Sequence, residues 1–161
     1  MAHARRRDGH LGSALPGNDL SYGGTYKGTR FRSLLELSVI LHLEGQGLTL
    51  GSTMLYEAHR VPYGRQANRT YIVDLSLPER RQLIEVKPLS RVLSPNNWAK
   101  RKAAQAWALA NGCEYLVVTE RELQLVGAQL VSLDEASRMP GVVLGEKAAR
   151  AMRRKMRRAK R

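Results

Sequence analysis

The sequence predicts an α/β fold in which a mixed central sheet is flanked by helices, in the order α-β-β-β-α-β. Three features carry this expectation. Residues 30–44 are helical in composition, with Leu, Val and Ile over most of the circumference, and a helix that is apolar nearly all round belongs inside a core. Extended runs follow at about residues 53–63, 70–77 and 82–87, the last two rich in β-branched and aromatic residues. A second helix opens at Ser94-Pro95 and leads through Asn111-Gly112 into a continuous apolar strand at Tyr115 to Thr119. Helices alternating with strands in this way bury a sheet between helical layers.

Residues 1–24 hold Gly, Ser, Pro and Asn with no apolar period and read as a flexible arm. The first helix stops at Gly45 and Gly47, and residues 76–81 turn the second extended run into the third. Thr119-Glu120-Arg121-Glu122 is a capping box that opens a short helix. Beyond Gly127 a strand-like patch and a short helix around Leu133 to Arg138 are expected. The folded domain is therefore placed at 25–145, and residues 146–161 form a basic, potentially helical tail that contributes no core residue. If helical, its thin apolar stripe is Ala149, Met152, Met156 and Ala159.

A chain of 161 residues can bury a real core. It has no run of about 18 apolar residues, so a membrane span is not expected. The basic stretch Met1 to Asp8 lacks a following apolar segment, so neither is secretion. One cysteine, Cys113, excludes an internal disulfide and a Cys-rich zinc site, and His3, His10, His42 and His59 lack metal-ligand spacing. A reducing cytoplasm or a virus particle suits this composition. The formal charge is +13, of which residues 146–161 supply +8 from nine basic residues and one acid. So basic a chain points to a polyanion, although ribosome-like and membrane-surface proteins share the property.

The chemistry concentrates in residues 70–88. Along a strand Glu85 and Lys87 share one face while Ile84 and Val86 face the other. Asp74 ends the preceding strand, one short turn away, so its carboxylate can reach Glu85. Two carboxylates near a strand end make an oxygen-rich place for Mg²⁺, and Lys87 beside them can orient a water or stabilise charge on a phosphate. The same pattern also describes a solvated sheet face with a weak Glu–Lys pair. Glu36 bears on the choice. It lies in line with Val39, Ile40 and Leu43 on an apolar stripe, where an unpaired carboxylate is costly. Ser33-x-x-Glu36 equally fits a capping box, with Glu36 folded back onto the Ser33 amide.

Taken together, Phe31-Arg32-Ser33-x-x-Glu36, Val61-Pro62-Tyr63, Tyr71-x-x-Asp74 and Ile84-Glu85-Val86-Lys87 resemble the PD-(D/E)XK nuclease superfamily. Phage head-completion nucleases, phage endonuclease I resolvases and TnsA-type transposon endonucleases are the nearest forms. The likeness spans about residues 26–125. Pro88 and the stretch from Gly112 to Leu123 favour the head-completion type. The proline that usually precedes the aspartate is Val73 here, which suits a strand. The resemblance implies a restriction-endonuclease-like core. It also implies Glu36, Asp74 and Glu85 as ligands of Mg²⁺ (Mn²⁺ as the substitute ion), with Lys87 as the motif's lysine. DNA would be the substrate, in phage packaging or head completion, junction resolution or transposon-end cleavage. Phage portal or head proteins, or a second copy of the chain, would be partners, and the host cytoplasm or the virion the location. A non-catalytic DNA-binding or virion structural protein on the same fold is the rival from another class.

Arg32, Arg65, Arg69, Lys100 and Lys102 are the candidate phosphate contacts in the domain, and Arg153, Arg154, Arg157 and Arg158 those in the tail. The tail could instead dock on an acidic partner. Trp107 is expected to pack in the core, Cys113 to be an inert core thiol and His59 to lie at the surface.

Overall fold

A computed structural model describes residues 21–159. Most of the expected N-terminal arm, and the last two residues of the tail, lie outside the described residues. The fold is mixed α/β. Helix α1 (Leu34–Gly45) is followed by three antiparallel strands, β3 (Leu55–Tyr63), β4 (Arg69–Leu77) and β5 (Gln82–Val86). Helix α2 (Pro95–Ala110) then crosses over to β6 (Glu114–Val118), which runs parallel to β5. The sheet order is β3-β4-β5-β6.

The two faces of this sheet bury separate clusters. On one, Leu75, Leu77, Ile84 and Val86 pack with Leu34, Leu35, Leu37 and Ile40 of α1. On the other, Val61, Tyr71, Val73 and Leu83 meet Ala104 and Ala108 of α2. α1 has apolar groups on nearly every side because it also supports later elements. Its buried Ser38 donates to Leu34 O (2.7 Å) and accepts from Val131 N (2.9 Å), fixing the segment after Gly127. A strand-like patch was expected in that segment; it is irregular instead, with Ser38 supplying the partner that a neighbouring strand would have supplied.

A second sheet was not anticipated. β1 (Gly24–Tyr26) and β2 (Thr29–Phe31) form a hairpin, and β7 (Val142–Leu144) pairs with β1. Gly24, expected in the arm, is thus a strand residue, and α1 begins at Leu34 rather than Arg30. β1 and β7 approach so closely that a Cβ on Gly24 would lie 2.3 Å from the Val143 carbonyl oxygen.

Two short helices, α3 (Glu120–Leu125) and α4 (Leu133–Ala136), both open with capping boxes. The basic tail is helix α5 (Glu146–Ala159), and it is docked. Ala148 is fully buried, with Ala151 and Met152 packed beside it, whereas Met156 is exposed. The apolar stripe is therefore rotated from the expected one, because the Gly145 N–H to Gly23 O bond (2.9 Å) sets how the chain enters the helix. The tail does contribute to the core.

This makes α5 a test of the fold. Ala148→Arg places an unpaired charge where no side chain fits, so urea unfolding should show a loss of at least about 2 kcal/mol. Ala159→Arg, at the exposed end of the same helix, should change stability by less than about 0.5 kcal/mol.

Candidate active site

β4 and β5 stop pairing at Leu75–Ile84. By that register Asp74 and Glu85 face each other one step further on, where the two strands part. The alternation of β4 also breaks here. Tyr71 and Val73 belong to the α2-side cluster, yet Leu75 and Leu77 belong to the α1-side cluster. Residues two apart normally share a face, so the strand turns over about Asp74, and residues 73, 74 and 75 are all buried. Opposite them, β3 carries a bulge between Tyr56 and His59, with Glu57 at φ 50°. Bulges re-aim side chains. This one lets the successive residues Tyr56 and Glu57 both reach the start of α1.

Asp74 Oδ2 accepts from Val86 N (2.8 Å), just past the end of the ladder, and its Oδ1 accepts from the Arg32 guanidinium. Arg32 also faces Glu57 (3.3 Å) and Glu36 (3.8 Å). Glu36 resolves its two expected roles unevenly. Ser33 Oγ caps α1 by accepting from Glu36 N (3.1 Å), but the Glu36 carboxylate passes over the Ser33 amide. It accepts instead from Arg32 N (2.9 Å) and from the Tyr56 hydroxyl (2.6 Å). Burial, and then the Glu36 charge, raises the Tyr56 proton affinity, so the phenol remains a donor.

Glu85 is held from both sides, by the Tyr71 hydroxyl and by Lys87 Nζ (2.7 Å). Tyr71 is raised by burial and by Glu85, and stays protonated. Asp74 is pushed up to about 8 by burial and by the charges of Glu85 and Glu36, against the downward pull of the Val86 amide and Arg32. Arg32 loses something to burial, but the surrounding carboxylates raise its affinity for the proton. The positive charge of the pair is therefore secure and the negative charge is not.

A groove of about 660 Å³ lies over this region, lined by Ser21, Arg32, Glu36, Lys87, Arg91 and Asn97 among others. Asp74 does not reach its wall; Arg32 stands in front of it. Glu85 opens onto a small crevice with Lys87, Lys100, Arg101 and Tyr115. The four motif residues are thus gathered in one region. Among the described residues, however, no three His, Cys, Asp or Glu side chains are grouped closely enough to hold a metal ion.

The candidate phosphate contacts divide. Arg32 lines the groove and Lys100 the crevice, where its Nζ is 5.8 Å from the Tyr71 ring centre. Lys102 is exposed on α2. Arg65 and Arg69 are exposed at the far end of β4, Arg69 about 16 Å along the strand from Asp74. Arg153, Arg154, Arg157 and Arg158 are exposed on α5. Trp107 packs on the α2-side cluster with His59 stacked on it at 4.0 Å, so His59 is half-buried rather than a surface residue. Cys113 packs against the same cluster. Tyr56, Glu57 and Tyr115 escaped the sequence reading, and Arg101, on the same helix as Lys100 and Lys102, was not singled out from its basic neighbours. The first two depend on a bulge that leaves no periodic trace, and the last two on how α2 crosses β6.

Comparison with family models, with curated proteins and with solved structures finds no match to this chain. Among the described residues no helix is long and apolar enough to cross a membrane.

The Asp74 environment has a measurable consequence. A carboxyl held at about 8 when folded, against 3.8 ordinarily, contributes stability below the lower value that is lost as pH rises through the window between them. In EDTA, wild-type stability should therefore fall relative to Asp74→Asn, which cannot ionise, by about 4 kcal/mol between about pH 5 and about pH 9. Parallel stability–pH curves for the two proteins would show that Asp74 is not in a charge-starved site.

Proposed function

We propose that this chain is a metal-dependent endodeoxyribonuclease that hydrolyses phosphodiester bonds in duplex or branched DNA. The observation that carries the reading is the pair of buried carboxylates, Asp74 and Glu85, facing each other where β4 and β5 part, with Arg32 paired to the first and Lys87 to the second beside an open groove. Surface ion pairs need no such burial. Enclosing three acids together raises the electrostatic cost of each, and a functional site is the usual reason for accepting it.

The donor set suits Mg²⁺, with Mn²⁺ as the substitute. All candidate ligands are carboxylate oxygens, and Mg²⁺ needs only one or two of these, with water and phosphate oxygens completing its shell. Even beside Arg32, Asp74 holds its proton to about pH 8, so the site has room for more positive charge. Asp74 and Glu85 are the residues to hold the ion, with Glu36 as a further carboxylate in electrostatic reach. When bound, the ion would lower the pKa of a water and polarise a phosphoryl oxygen.

The chain's own groups account for the remaining needs. Lys87 lines both the groove and the crevice, where its ammonium can orient a water towards phosphorus or balance charge on the phosphate. Arg32 has a planar guanidinium suited to two phosphate oxygens at once, and it already sits at the groove wall. Tyr71 and Tyr56 remain protonated and hold Glu85 and Glu36 in place. Hydrolysis forms the new phosphorus–oxygen bond from water as the bond to the leaving oxygen breaks, and the proton from water ends on that oxygen.

On the resemblance, this activity is read as part of phage DNA packaging or head completion, with portal or head proteins as the expected partners. Junction resolution or transposon-end cleavage by a dimer is the second enzyme reading. The Arg32–Asp74 pair gives specific support to a third: a protein whose acids are permanently neutralised by Arg32 and Lys87 would bind DNA without cutting it.

One experiment separates these. With Mg²⁺, the wild-type protein should nick supercoiled plasmid and EDTA should stop it. Asp74→Asn and Lys87→Ala should each lower the rate by at least about 100-fold while DNA binding in EDTA persists. Undiminished cutting by Asp74→Asn would sink the mechanism, and absence of cutting by the wild-type protein on plasmid, linear and four-way-junction DNA would favour the non-catalytic reading.

A further inference from the structure

Because α5 is docked, its basic side chains have fixed directions. Ala148, Ala151 and Met152 face the core, and Lys155 pairs with Asp134 of α4 on the same side. At 100° per residue, Lys147, Arg154 and Arg158 fall on the flank next to Ala151, with Arg150 about 40° further round, and Arg153 lies away from that flank. Arg157 shares the direction of Arg150 but sits two turns, about 10 Å, further along the helix. Neither Arg153 nor Arg157 lines the groove beside that flank. The flank is not open surface. It forms one wall of a groove of about 370 Å³ whose other wall is Tyr22. Lys147 is fixed at the near end, donating to Ser21 Oγ (3.1 Å) with its Nζ 5.4 Å from the Tyr22 ring centre.

This groove continues to the active-site region. It shares Glu146 and Lys147 with a second groove of about 470 Å³, lined by Gly23, Gly24 and Gly145 as well as Arg30 and Arg32. That one shares Arg32 with the groove over Glu36 and Lys87. These three adjoining grooves, taken together as a furrow, are lined in turn by Arg154, Arg150, Lys147, Arg30, Arg32 and Lys87. Its one acid outside the candidate site's own groove, Glu146, is paired with Arg150. The small sheet β2-β1-β7 makes the bridge, since it joins the start of α5 to the residues just before α1.

We propose that this furrow is a phosphate track, with Lys147, Arg150 and Arg154 guiding one strand of a DNA duplex to the candidate active site. Arg153 and Arg157 take no part in it. The inference rests on the nuclease reading for its choice of DNA over other polyanions. It narrows the basic tail from a diffuse arm to one row of side chains, and brings in Lys147, Arg150 and Arg30, which the sequence alone did not single out.

Two double variants of equal charge separate the track from general attraction: Arg150→Ser with Arg154→Ser, and Arg153→Ser with Arg157→Ser. All four positions are exposed, and circular dichroism would verify that α5 persists. Binding to a fluorescent duplex of about 30 base pairs is measured in EDTA across a range of salt, so that no cleavage intervenes. The furrow-facing pair should weaken binding by roughly 10-fold or more and make the slope of log affinity against log salt shallower by about 1.8, or 0.9 for each contact. The pair outside the groove, Arg153 and Arg157, should alter the slope by less than about 0.5. Arg150→Lys with Arg154→Lys should keep most of the affinity, excluding a folding effect.

Equal losses from both Ser pairs would overturn the track in favour of undirected charge. So would wild-type protein that binds polyglutamate but not the duplex, which would make α5 a site for an acidic protein. Because binding is read without metal, failure of the track leaves the cleavage reading standing. A selective effect of the furrow-facing pair in a protein that never cuts would sustain the track and remove the nuclease.

Discussion

The site depends on one electrostatic constraint: Asp74 is a carboxylate that is 1 % exposed, with two further acids close enough to raise its proton affinity. Unpaired burial of such a group costs several kcal/mol, so its surroundings must supply protons or positive charge. The fold supplies both. The Val86 amide and the Arg32 guanidinium face its two oxygens, Lys87 and Tyr71 take up Glu85, and Tyr56 takes up Glu36. These partners come from both ends of the described chain's first half, which is why the bulge in β3 and the turnover in β4 occur together. A regular β3 could not present Tyr56 and Glu57 to the same place, and a regular β4 could not put Val73 and Leu75, two residues apart, on opposite faces.

Much of this was legible before the structure. The central helix, the three extended runs, the Ser94-Pro95 helix start and the Thr119 capping box each rest on a local signal that the tertiary fold then respects. Asp74 and Glu85 were legible because a short turn leaves little freedom in how neighbouring strands pair. Glu36 was half legible: its sequence position served two roles equally, and the outcome is a third, a carboxylate turned back one residue further than a capping box requires. The small sheet was missed for a different reason. Three-residue strands are too short to show a period, and the only local mark is Lys27-Gly28, both at positive φ in a two-residue hairpin turn. The face that α5 buries was misjudged because Ala149, Met152, Met156 and Ala159 make as good a stripe on paper as Ala148, Ala151 and Met152. Only the Gly145–Gly23 link decides between them.

The two sheets divide the work. The larger one creates the acidic pocket by letting β4 and β5 separate while β5 stays paired with β6. The smaller one has almost no interior of its own. Its contribution is to hold the N-terminal hairpin, the entry to α1 and the start of α5 together, so that Arg30 and Arg32 on one side and Lys147 on the other line one surface. A basic helix attached by a free linker would attract a polyanion equally well but could not direct it. Docking through Ala148 turns a charge into a direction.

This arrangement also couples the two kinds of ligand that the reading invokes. The exterior is strongly basic, with +13 overall, and that field repels a divalent cation approaching the buried acids. On that reading, phosphates laid along the furrow would reverse its sign locally and would give Arg32 an alternative partner to Asp74. If the cleft takes Mg²⁺, polyanion and cation must therefore favour each other's binding, and by linkage the effect is equal in both directions. On the nuclease reading, the guanidinium that covers Asp74 offsets part of the acids' charge while DNA is absent, and that contact would be the one that DNA relieves.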